Sequence, residues 1–118
     1  MAEILLQIPD EMEERLRPMS AWLATVLELG LCGLRTPAVQ TATEIVDFLS
    51  AGPAPSEVLQ YHASERAQAR LRQLLALQSG GQISAEEQAE LDELGRIEHI
   101  IVRLKGRLLV SSASPRAA

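Results

Sequence analysis

The stretch Ser64 to Val110, SERAQARLRQLLALQSGGQISAEEQAELDELGRIEHIIVRLKGRLLV, constrains this chain most, because it reads as two helices folded back about a Gly-Gly turn. Ser84 and Glu87 form a capping box, in which each side chain takes the other residue's orphan backbone N–H, so the second helix starts at Ala85. Leu94, Ile97, Ile101, Leu104 and Leu108 follow at spacings of three, four, three and four, which aligns them on one stripe. Acidic residues fill the early turns and Arg103, Lys105 and Arg107 the late ones, opposing the helix dipole at both ends. A helix from Ala85 to Val110 is roughly 40 Å long at about 1.5 Å per residue, too long for one short helix to cover, so part of its stripe is expected to meet another subunit. The first arm opens on Ser64 as N-cap and shows Ala67, Leu71, Leu74 and Leu75 on one side. Gly80 and Gly81 close it, and the short span to Ser84 favours an antiparallel return.

Everything upstream must pack on that hairpin. With 118 residues the chain reads as one helical domain over residues 1–110 and a disordered tail over residues 111–118. Apolar residues are 47% of the chain but aromatics only 3%, so the interior is built from Leu, Ile, Val and Ala, which favours helices. The net charge of −5 argues against broad attraction to nucleic acid or anionic membrane. Cys32 is the only cysteine, which rules out an intramolecular disulfide and a cysteine metal cluster and fits a cytoplasmic location. No run approaches the ~20 apolar residues of a spanning helix, so no membrane partner is expected.

Residues Glu3 to Ile8 alternate, with Ile4, Leu6 and Ile8 on one face and Glu3, Leu5 and Gln7 on the other, and Pro9 stops the run. This predicts a short N-terminal strand. A lone strand leaves its backbone groups unpaired, so it either pairs with the same strand of a second chain or lies as an extended arm on a helix. Asp10 is placed to cap the following helix, and Pro18 predicts a kink, or two short helices meeting near Arg17 and Ser20. Trp22, the sole tryptophan, reads as a core or subunit-interface anchor. Thr36-Pro37 starts another helix that ends before Gly52, and Ser56 is placed to cap a brief one through Tyr61. The fold expected is therefore mainly α, a short strand followed by amphipathic helices and the C-terminal hairpin.

No catalytic, cofactor or metal constellation stands out. His62 and His99 have no second histidine or cysteine at ligand spacing, and Ser64 beside His62 is better read as a helix cap than as a nucleophile. Neither glycine pair has the Lys-Ser/Thr or the preceding strand of a phosphate loop. The carboxylates at 86–93 read as a solvated face.

Two resemblances sit on these segments. The opening ILLQIPDEMEERL resembles the strand and first helix of ribbon-helix-helix proteins, with Ser20 to Leu31 standing for the second helix. That resemblance implies a dimer whose outward strand residues Glu3, Leu5 and Gln7 face DNA, with Gln7 the good base reader. Residues 41–106, with Leu74-Leu75, Gly80 and then SAEEQAELDEL, are similar to small bacterial antitoxin-like proteins. This second likeness implies a non-enzymatic protein that holds a protein partner, such as a nuclease toxin; the alternatives are a DNA-binding regulator of the ribbon-helix-helix type and a structural subunit of a larger bacterial assembly. The expected interface residues are Ile4, Leu6, Ile8, Trp22, Leu94, Ile97, Ile101, Leu104 and Leu108, in a homodimer.

Overall fold

The computed structural model describes residues 2–113, and every regular element among them is helical. The order is α1 (Asp10–Leu16), a 3-10 segment (Arg17–Trp22), α2 (Leu23–Leu31), α3 (Val39–Ser50), α4 (Pro55–Leu59), α5 (Glu65–Ser79) and α6 (Ala85–Ala113). The expected N-terminal strand is corrected: residues 2–9 hold no regular structure, and Ile4, Leu5 and Leu6 are 82%, 98% and 72% exposed. No second strand exists among the described residues to take their backbone hydrogen bonds, so the alternating side chains alone do not organise them.

Pro18 acts as its chemistry requires. It lacks an N–H and restricts Arg17, and the chain tightens into the 3-10 segment that joins α1 to α2. Other boundaries move by a residue or two. Pro9 rather than Asp10 is the N-cap of α1, and Asp10 is its first residue. Thr36 does hold the entry to α3, its hydroxyl accepting from the Ala38 N–H at 3.1 Å, but a turn intervenes and the helix begins at Val39. Helix α4 begins at Pro55 and stops at Leu59; Ala54 is its N-cap, and Glu57 accepts from the Ala54 N–H at 2.8 Å. The Ser64 cap and the Ser84–Glu87 box form as read, with Ser64 Oγ accepting from the Ala67 N–H at 3.2 Å and Ser84 Oγ from the Glu87 N–H at 3.1 Å. Helix α6 runs past Val110 to Ala113, so the first three residues of the expected tail are helical and residues 114–118 lie outside the described ones.

The main core gathers Trp22 and Leu29 from the first third, Ile45 and Leu49 from α3, Val58 from α4, and Ile97, Ile100 and Leu104 from α6. Helix α6 is thus the spine, and α2, α3 and α4 cover one side of it. Trp22 anchors the turn after α3, its indole Nε1 donating to the Pro53 carbonyl at 3.0 Å. That turn passes close to the 3-10 segment: Gly52 has φ +71°, and a Cβ there would stand 2.5 Å from the Pro18 carbonyl oxygen. Both the left-handed backbone and the close approach demand glycine. Gly52→Ala is expected to lower stability by about 2 kcal/mol, read as a lower urea midpoint with the slope unchanged.

Two ends bury little. Helix α1 has no buried residue, and Leu109 and Val110 near the end of α6 are exposed. The radius of gyration, 16.7 Å, accordingly exceeds the roughly 13.5 Å of a compact chain of this length.

Candidate functional site: a groove along α6

An open groove of about 400 Å³ is bounded by α3, the loop after α4, α5 and α6. Its floor is apolar, formed by Leu94, Ile97 and Ile101 of α6, with Leu71 and Ala67 of α5 and Ile45 of α3 as walls. Tyr61 stands at the α4 side, its ring tilted 35° against Phe48 at 4.6 Å between centroids. Burial, and secondarily the Glu44 carboxylate, push the Tyr61 hydroxyl pKa up.

The polar groups around the groove are mostly engaged with the protein. Lys105 Nζ donates to the Tyr61 carbonyl at 2.7 Å, and Gln68 Nε2 donates to the Ala63 carbonyl at 2.7 Å. Glu44 of α3 fixes the start of α5, accepting from Ser64 Oγ at 2.8 Å and from Arg66 Nη2 at 3.1 Å. The Ser64 hydroxyl, with Arg66 adding to it, outweighs burial and holds the Glu44 carboxyl below the usual range. His62 and Glu98 border the groove and are exposed. Among the described residues no buried side-chain polar atom lacks a hydrogen-bond partner and no group of three potential metal ligands assembles. What the groove presents is greasy surface with charges at its margins.

Comparison with known proteins adds no relative. The chain matches no protein-family model, no curated protein and no solved structure.

The expected interface residues separate into three groups. Ile97 and Leu104 are buried in the chain's own core, as is Trp22. Leu94, Ile101 and Leu108 are half-buried against that core, and the first two also line the groove. Ile4 and Leu6 stand in solvent while Ile8 is half-buried, and Gln7 is exposed on a segment that forms no strand, so the base-reading geometry expected of it is absent.

Reading the carboxylates of α6 as solvated misses two of them. Glu90 and Glu93 are each 4% exposed. Glu90 receives Arg70 of α5 in a two-pronged pair, with Nε at 2.9 Å and Nη2 at 2.8 Å. Glu93 receives the backbone N–H groups of Arg35 and Thr36 and the Thr36 hydroxyl, at 2.7 to 3.1 Å, and so closes the approach to α3 from a different helix. Burial raises the Glu93 pKa, but these donors and the nearby Arg96 charge outweigh it and hold the carboxyl below its ordinary value. These two side chains lock α6 to α5 and to the α2–α3 loop and thereby fix the walls of the groove.

Proposed function

We propose that this chain is a non-enzymatic, antitoxin-like, homodimeric interaction protein that seats an apolar segment of a protein partner in the α6 groove and occludes it. One observation carries the reading: the open groove along α6 is floored by Leu94, Ile97 and Ile101, with its adjoining lysine and glutamine already bonded to the chain itself. An amphipathic helix is the occupant that suits such a trough, since its apolar residues recur at three and four and present one greasy edge. The groove is framed by α5 and α6 taken as an antiparallel hairpin. The contacts Arg70–Glu90 and Gln78–Gln88 support that framing, because their sequence separation shrinks towards the Gly80-Gly81 turn. Among the described residues no helix is long and apolar enough to cross a membrane.

The test uses Val102, which borders the groove and is 58% exposed, so that a charge there leaves the core intact. Affinity purification of the full chain from its native cells is expected to recover a stoichiometric protein partner. Val102→Glu should weaken that association by about tenfold or more while helix content by circular dichroism stays constant. Recovery of no stoichiometric partner, or retention of it by Val102→Glu at the wild-type level, would remove the reading.

A further inference from the structure

We infer that two copies of this chain join by exchanging limbs, residues 3–16 of each copy lying over the apolar trough between α2 and α3 of the other. This deepens the self-association part of the proposed function and rests on it. The trough has a volume of about 370 Å³ and is lined chiefly by Val26, Leu29, Leu34, Val39 and Val46, with Thr43 its one polar side chain and no charged residue among the described ones lining it. Val39 is 47% exposed, and Leu27 and Leu31 of α2 beside the trough are 53% and 85% exposed. Depletion of charge around exposed leucines is the composition of a covered interface centre.

The limb is the matching surface. It carries Ile4, Leu5, Leu6 and Met12, all exposed, and its helix α1 buries nothing. Of the eleven large apolar residues left exposed among the described ones, seven lie between positions 4 and 39, in the limb and on the α2–α3 face. Mutual exchange covers both sets, and with each limb in the other copy's trough no limb or trough is left over to recruit a third copy.

Charge points to the same occupant. Residues 2–16 hold five acidic groups and one basic, a net −4, so the rest of the chain carries only −1 of the total −5. Arg35, next to Leu34 of the trough, is exposed, and its side chain makes no ion pair among the described residues. An acidic limb flanked by Glu3 and by Asp10 and Glu11 meets there a trough with no charged lining residue among the described ones and a basic residue at its edge, whereas limb against limb sets four negative charges on four.

The experiment replaces Cys32 by Ser and introduces Leu5→Cys and Leu31→Cys in separate copies of the full chain, one copy carrying a longer tag. After mild oxidation of the mixture, a disulfide-linked pair of unequal chains is expected, at about twice the 12.9 kDa of one chain plus the tags. Light scattering of the untagged wild-type chain should give the same doubling, and Leu6→Glu should return it to a single chain with helix content intact. A wild-type chain that stays at 12.9 kDa at about 100 μM overturns both the exchange and the self-association it rests on. A dimer that survives Leu6→Glu and gives no mixed cross-link overturns the exchange and leaves self-association standing. Closure of a Leu5→Cys/Leu31→Cys double variant on itself at monomer mass, with no mixed cross-link, places the limb on its own trough and likewise overturns the exchange.

Discussion

Glu93→Ala is expected to cost about 3–5 kcal/mol, as much as breaking a buried charged pair, although the residue lies in what reads as the acidic, water-facing start of a helix. Its carboxylate is 4% exposed and takes the N–H groups of Arg35 and Thr36 and the hydroxyl of Thr36. Truncation leaves these donors facing a hole, and each unpaired donor costs about 1–3 kcal/mol. Glu93→Gln keeps the volume and one acceptor oxygen but turns an NH2 group towards donors, so a loss of about 2 kcal/mol is expected. Urea titration at neutral pH reads both, and equal midpoints for wild type and Glu93→Ala would show that the cap is not holding α3.

The same carboxylate gives the fold an acid limit. Its pKa is lowered in the folded chain from the ordinary 4.5, so protons bind the unfolded chain more readily than the folded one. The Glu93 contribution is therefore complete above about pH 4.5 and fades as pH falls below that through the lowered folded value. Glu93→Gln has no such proton to bind, so its stability should fall less steeply than wild type over this acid window. Parallel acid limbs for the two proteins would show that Glu93 is not the group responsible.

These carboxylates show where the residues were informative and where they were not. Helices α5 and α6, with the caps at Ser64 and Ser84–Glu87, were legible because local chemistry decides them: a hydroxyl, a glutamate three residues on, then an apolar period. The seam read at 94, 97, 101, 104 and 108 was displaced sideways from the stripe that is buried. That stripe is Glu90, Glu93, Ile97, Ile100 and Leu104, with the same spacing of three, four, three and four. Helical period alone would have carried it back from Ile97 to both glutamates, but their charge assigned them to water, since an unpaired buried carboxylate is prohibitively costly. Their partners, Arg70 and the Arg35–Thr36 backbone, come from 20 and 57 to 58 residues away, and no local rule foretells them. The rotation of the stripe leaves Leu94 and Ile101 on the floor of the groove. The N-terminal strand failed for a related reason. Alternation decides which face a strand would bury, whereas the existence of a strand rests on a partner that no second segment among the described residues supplies.

Leu74→Ala should lower stability by about 3–4 kcal/mol, within the range for emptying a buried leucine site, and the way it does so distinguishes it from a change in the central core. Leu74 is 0% exposed, yet neither it nor any other residue of α5 belongs to the main core formed by α2, α3, α4 and α6. Helix α5 is held outside that core, by Leu74 and Ala67, by the Arg70–Glu90 pair, by the Gln78–Gln88 bond and by the bonds of Ser64 and Arg66 to Glu44. Removing the largest of these lets α5 open before the rest unfolds, so amide exchange across residues 65–79 should accelerate more than across α3. Leu49→Ala, at a site 1% exposed in the main core, should instead accelerate exchange in all the core helices together. Since α5 is a wall of the groove, Leu74→Ala should also weaken the partner binding proposed for it under conditions where the core helices remain protected, whereas uniform exchange in both variants would make α5 an inseparable part of the core.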